Sequence, residues 1–274
     1  MAGDEWLISR AAADGGRLRL RFVRRDDRVH QTVEWFDAVA GEFVALLESR
    51  EGASSDVWPA SPPLQQFLIE SRGAAGQVAL LVGMAGRSHW SLSVEPLADR
   101  VGFRFDAACR LGGPPDWLGN TWRLAPERLL PERLSPGRRV PEGLVPEGLV
   151  PERLVPERLV LERIGPGSPA VESDRVVFIS TTRDQACEAR FARGSLRIVA
   201  EDGAECHAES GGIPSERMES PGEWGKRKGE LDPSGNSPSE CRVWATRAPS
   251  VAAAGRFPAT VQWRFVVAWE PPHS

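Results

Sequence analysis

From Arg17 onward the chain alternates. Leu18, Leu20 and Phe22 take every second place with arginines between them, Arg25-Asp26-Asp27-Arg28 reads as a turn, and 29–36 resumes with Val33 and Trp35 on one face. Period two marks a half-buried strand, so these two runs predict a hairpin. Arg17, Arg19 and Arg21 then share the opposite face. That face reads as solvated, partly neutralised by Asp26 and Asp27, with a phosphate or nucleic-acid patch as the alternative.

Further along, 42–49 fits a short helix or a strand, and Pro59, Pro62 and Pro63 interrupt the chain before 64–71. Gln77 to Arg110 reads as a three-stranded antiparallel meander. Its first strand, the apolar run from Val78 to Ala85, carries apolar residues on both faces and is expected at the centre of its sheet. Trp90, Leu92 and Val94 follow on the second strand, then Val101, Phe103, Phe105, Ala107 and Cys109 on the third. Gly112-Gly113-Pro114-Pro115 stops the meander, and 119–124 begins another strand.

The C-terminal part continues in this style at 175–180, 186–193, 195–201 and 241–247. It closes with 260–270, where Val261, Trp263, Phe265, Val267 and Trp269 form the longest alternating stripe. No capped stretch shows the three-and-four spacing of a long helix. The expected fold is mainly β: one domain over 1–274, an antiparallel β-sandwich or curled barrel with few helices and two long low-complexity insertions.

The first insertion, 126–165, begins with seven tandem five-residue units, PERLL, PERLS, PGRRV, PEGLV, PEGLV, PERLV and PERLV, and ends in LERIG. A proline every fifth residue removes a backbone donor each time, which excludes a continuous helix or a central strand and leaves extended, turn-punctuated chain. The period is similar to that of pentapeptide-repeat β-helices, but Glu or Gly and then Arg flank each Leu where that family stacks inward apolar residues. Places such as Val145-Pro146-Glu147-Gly148 resemble elastin-like repeats, with the glycine one place late. Neither resemblance assigns a fold. A tolerated surface loop is the plain reading, and multivalent docking of a protein partner through the Leu-Val pairs is the functional one. The second insertion, 208–240, is rich in Ser, Gly, Pro and Glu and is expected to be a disordered loop.

Charge narrows the function. The 34 basic and 38 acidic side chains leave a net charge of −4, and no large block is basic, so a duplex-binding surface is not expected. No run approaches the roughly 18 apolar residues of a membrane helix, and MAGDEWLISR lacks the apolar core of a signal peptide. Cys109, Cys187, Cys206 and Cys241 form no C-x-x-C pair, which points to reduced thiols and a cytoplasmic protein.

The catalytic inventory is thin. His30, His89, His207 and His273 have no metal-ligand spacing, and Cys206-His207 is adjacent rather than helically spaced, so neither a metal nor a cofactor is expected. Gly86-Arg87-Ser88-His89-Trp90 sets a serine beside a histidine between strands, but Trp90 stands where a nucleophile elbow has its second glycine. Among the ten tryptophans, Trp35, Trp90, Trp263 and Trp269 belong to core stripes, whereas Trp58, Trp117 and Trp122 lie beside loops and are candidates for exposed ligand contact. The leading expectation is a soluble, non-catalytic β-rich protein with an interaction or structural role. A hydrolase built on Ser88 and His89, and a small-ligand or carbohydrate-binding module using Trp58, Trp117 and Trp122, are the alternatives.

Overall fold

A computed structural model of the chain describes residues 5–13, 15–37, 41–72, 76–125, 178–181, 185–191, 194–209 and 240–271. In chain order the strands are β1 (Glu5–Ile8), β2 (Arg17–Arg25), β3 (Arg28–Asp37), β4 (Glu42–Ser49), β5 (Leu64–Ser71), β6 (Gln77–Ala85), β7 (Ser88–Pro96), β8 (Gly102–Leu111) and β9 (Gly119–Leu124). There follow β10 (Phe178–Thr181), β11 (Ala186–Phe191), β12 (Gly194–Ala200), β13 (Ala204–Glu209), β14 (Glu240–Ala245), the short helix α1 (Ala248–Ala254) and β15 (Ala259–Glu270).

They form two antiparallel sheets. The first runs β1-β2-β3-β4-β9-β14-β13 and the second β10-β11-β12-β15-β8-β7-β6-β5. Neither closes on itself, so the architecture is a sandwich and not a barrel. The periodicity of the sequence dictates the strands directly. In β2, Leu18, Leu20 and Phe22 are fully buried while the arginines between them stay half-exposed, and in β15 Val261, Trp263, Phe265, Val267 and Trp269 all face the core.

Aromatic side chains weld the layers. Trp35 of β3 stacks on Trp269 of β15 with ring centroids 4.2 Å apart, Phe22 of β2 stacks on Phe67 of β5 at 5.8 Å, and Trp122 of β9 meets Phe105 of β8 edge-on at 5.7 Å. Each of these large rings removes on the order of 150–250 Å² from water, which makes the aromatic stripes the main driving force for bringing the sheets together.

Several details differ from the expectations. Segment 42–49 is a strand, because it supplies the third ladder of the first sheet beside β3 and β9. β6 is not at the centre of its sheet. β5 lies outside it as the edge strand, and the apolar residues on its outer face, Val82 and Met84, remain 48% and 47% exposed. Residues 208 and 209 belong to β13 and Glu240 to β14, so the two ends of the second expected insertion are paired strand: Ala208 sits opposite Cys241 and Glu209 opposite Glu240. The expected insertion 126–165 lies wholly outside the described residues, as do 210–239. The described chain leaves the first sheet at Leu124 and Ala125 and re-enters at Phe178 in the second.

One close approach constrains the edge. Gly83 of β6 packs against the carbonyl of Pro63, where an added Cβ would stand 1.9 Å from that oxygen. Only glycine lets the Pro62-Pro63 segment lie this near the sheet before it turns into β5.

Candidate functional site

The serine and histidine singled out in the sequence do not come together. Strand β7 begins at Ser88, so successive side chains point to opposite faces. Ser88 is buried and its Oγ accepts the Gly112 N–H at 3.1 Å, while His89 is exposed on the outer face. A nucleophile and its base need hydrogen-bond contact, and this pair has none.

The three loop-flanking tryptophans form no exposed platform. Trp122 is fully buried because β9 directs it at Phe105 of the opposite sheet. Trp58 is also buried: the proline-bounded segment after it folds over the sandwich and sets the ring edge-on to Trp90 at 6.2 Å. Trp117 is half-buried. Its Nε1–H donates to the carbonyl of Ala60 at 3.0 Å, and the Arg242 guanidinium lies 5.9 Å from its ring.

The arginine face of β2 is internally committed. Arg19 and Arg21 both pair with the buried Glu34 of β3, and Arg19 and Arg17 also lie over the rings of Phe43 and Phe36 at 3.7 and 5.1 Å. That arrangement uses the guanidinium groups as covers for a strand face, with charge and π contacts together.

Two surface features are left. The first lies on the outer face of the second sheet. Leu68 of β5 and Val82 and Met84 of β6 stand 55%, 48% and 47% exposed, and Leu80 sits directly opposite Leu68. Beside them Ser91 and Ala108, paired across β7 and β8, make a low floor. The resulting groove encloses about 460 Å³ and is bounded by Gln66, His89 and Arg110. Its apolar wall is unusual, since exposed contiguous apolar side chains on a sheet mark contact surfaces more often than isolated ones do.

The second feature is a cleft of about 170 Å³ in the first sheet, beside β3. It arises from a split in strand pairing. β4 pairs with β3 as far as Thr32 opposite Glu48, beyond which the Gln31 N–H turns to the Ser49 Oγ at 2.9 Å and the Arg50 N–H follows β9 to the carbonyl of Thr121. The 50–56 segment then crosses back over β3, where Arg28 Nη2 donates to the carbonyl of Ser54 at 3.2 Å.

Gln31, Ser49 and Glu51 lie at its inner edge and are buried, Gln31 completely. The Ser49 hydroxyl donates to Glu51 Oε1, while Glu51 Oε2 and both amide atoms of Gln31 have no hydrogen-bond partner. Burial pushes the Glu51 carboxyl up to about 7, against the Ser49 hydrogen bond and the Arg28 charge, which pull it down. His30 is held below the usual imidazole value, first by burial and next by Arg25. An unpaired buried polar atom costs about 1–3 kcal/mol, and such atoms also occur on Trp90, Asn120 and Trp122 in the core. Gln31 was visible in the sequence as the one polar residue on the Val29-Gln31-Val33-Trp35 face. Glu51 gave no local signal, because its burial depends on the 50–56 crossing.

Among the described residues no group of three or more His, Cys, Asp or Glu side chains is arranged to hold a metal ion, and no helix is long and apolar enough to cross a membrane. Compared with known proteins, the chain matches no family model and no curated sequence.

Proposed function

We propose that the chain is a non-catalytic β-sandwich that works by binding a protein partner, in the cytoplasm, through the outer face of β5 and β6. The observation that carries this reading is the pair of exposed apolar side chains Val82 and Met84 beside the low Ser91–Ala108 floor, with exposed Leu68 further along the same face of β5. An extended segment with an apolar residue at every second position is the partner chemistry that fits, because its side chains match the pitch of the groove while its polar groups meet Gln66 and Arg110 at the rim. The four free cysteines support a reducing compartment. The pentapeptide segment 126–165 is a second proposed contact with the partner, resting on its sequence alone.

A photo-crosslinking residue at position 84 tests the reading. A single partner is expected to crosslink, to bind the purified chain, and to lose about tenfold or more in affinity when Val82 is replaced by Glu, a charge placed in a contact that should be dry. Equal binding by Val82→Glu removes the outer face from the function.

A further inference from the structure

We propose that Cys187 and Cys206 form a redox pair: a hydroperoxide oxidises the Cys206 thiol, and the Cys187 thiol then closes a reversible disulfide from one sheet to the other. The cysteines are widely spaced in the sequence, yet the fold gathers three of them. Strand β13 presents Cys206 and Ala208 to the core, and its ladder with β14 sets Val243 opposite Cys206 and Cys241 opposite Ala208. Cys206 and Cys241 are thus diagonal neighbours on one inner face. Cys187 faces them from β11 of the second sheet, which packs against β13, and its thiol is hydrogen-bonded to those of Cys206 and Cys241. Cys109 sits three strands away on β8.

The three gathered thiols differ in access. Cys187 and Cys241 are fully buried, whereas Cys206 is half-buried on β13, the edge strand of the first sheet, and its thiol donates to the carbonyl of the exposed Gln185 beside β11. An oxidant as small as a hydroperoxide meets Cys206 first, and Cys187 is a buried thiol already in contact with it. The cluster stands at the far end of the second sheet from β5 and β6, so the pair is independent of the proposed partner face.

Two electrons leave the thiols and two reach the peroxide. The Cys206 sulfur attacks the peroxide and the O–O bond breaks, which gives a sulfenic acid and an alcohol, or water when the oxidant is hydrogen peroxide. The Cys187 sulfur then attacks the Cys206 sulfur, the S–S bond forms as the S–O bond breaks, and the hydroxide leaves as water with the Cys187 proton. The hydrogen bond with Cys187 and burial hold the Cys206 thiol above its ordinary value, which keeps the thiolate scarce and makes the first step slow. The second step joins groups already in contact, so it outruns another encounter with peroxide and spares Cys206 the sulfinic acid. The pair therefore answers sustained oxidant and not a brief exposure, and a thiol reductant reopens it.

Peptide mass mapping tests the pair: the full reduced chain is treated with hydrogen peroxide, then unfolded in the presence of an alkylating agent. A disulfide between Cys187 and Cys206 is expected, with Cys109 and Cys241 alkylated, and a thiol reductant should return all four to the alkylated form. The exposed thioether of Met84 serves as an internal clock, since the disulfide should be complete before Met84 becomes its sulfoxide. Cys187→Ala should leave Cys206 as a sulfenic acid that a cyclic diketone traps, and Cys206→Ser should abolish closure while keeping the native tryptophan emission. Met84 oxidised with the four thiols intact, a bond mapped to any other pair, or Cys206 accumulating as sulfinic acid in the parent chain would each overturn the assignment. If Cys187→Ala does not fold, the parent map and Cys206→Ser decide the matter.

Discussion

The indole of Trp263 donates its Nε1–H to Oδ1 of Asn120 at 3.0 Å, a hydrogen bond that joins β15 of one sheet to β9 of the other with both residues buried. A sandwich is otherwise held by non-directional apolar packing, so this bond supplies orientation to the pair of sheets. Replacing Asn120 by Leu leaves the indole N–H buried and unpaired. The unfolding free energy in urea should fall by about 1–3 kcal/mol, with a change in tryptophan emission. An unaltered midpoint would show that the bond contributes nothing.

Stability should depend on pH through Glu51. Its carboxyl has an ordinary value near 4.5 in the unfolded chain and is pushed up to about 7 in the fold, so the folded state holds the proton more tightly over that interval. The stabilisation is complete below the unfolded value and is lost as pH rises through the folded one, a change of up to about 3 kcal/mol. His30 acts in the opposite sense: its lowered value makes protonation favour unfolding, so stability falls as pH drops below its ordinary 6.5. Thermal midpoints followed between about pH 5 and pH 9 should carry a Glu51 contribution that falls from about pH 5 to about pH 7 and levels off above, and Glu51→Gln should remove that contribution. An unchanged pH profile in Glu51→Gln assigns the effect elsewhere.

Ser88 and His89 should respond separately to substitution. Ser88→Ala takes away the acceptor for the Gly112 N–H and is expected to cost about 1 kcal/mol, whereas His89→Ala, on an exposed face, should stay within about 0.5 kcal/mol of the parent. Chemical denaturation of the two variants and of the double variant measures this. Strong coupling between them would contradict their placement on opposite faces of β7.

The thiols should be slow to react. Burial pushes Cys109 up to about 12, a hydrogen bond with Cys187 raises Cys206 above its ordinary value, and burial does the same for Cys241. At about pH 8 a thiol-specific chromogenic reagent should label the native protein much more slowly than the denatured chain, because the thiolate is the reacting species. Rapid labelling before unfolding would show that these cysteines open to solvent.

Strand identity and burial were legible in the sequence because side-chain alternation is a local property of the extended backbone: Leu18-Leu20-Phe22 and Val261-Trp263-Phe265-Val267-Trp269 face the core in the order in which they are written. The side of β2 that its arginines occupy was equally legible, but their partners were not: Arg19 and Arg21 pair with Glu34 of β3, where the sequence suggested neutralisation by Asp26 and Asp27. The sequence by itself thus determined that this is an antiparallel β protein with aromatic-filled layers. Tertiary structure alone decided which strand lies at an edge, and therefore that the apolar outer face of β6 stays exposed instead of central. It also decided that Trp58 and Trp122 are core, and that β4 parts from β3 at Ser49 so that Gln31 and Glu51, twenty residues apart, share one cleft. Pairing partners are set by the sum of many long-range contacts, and no local pattern encodes a place where two strands separate.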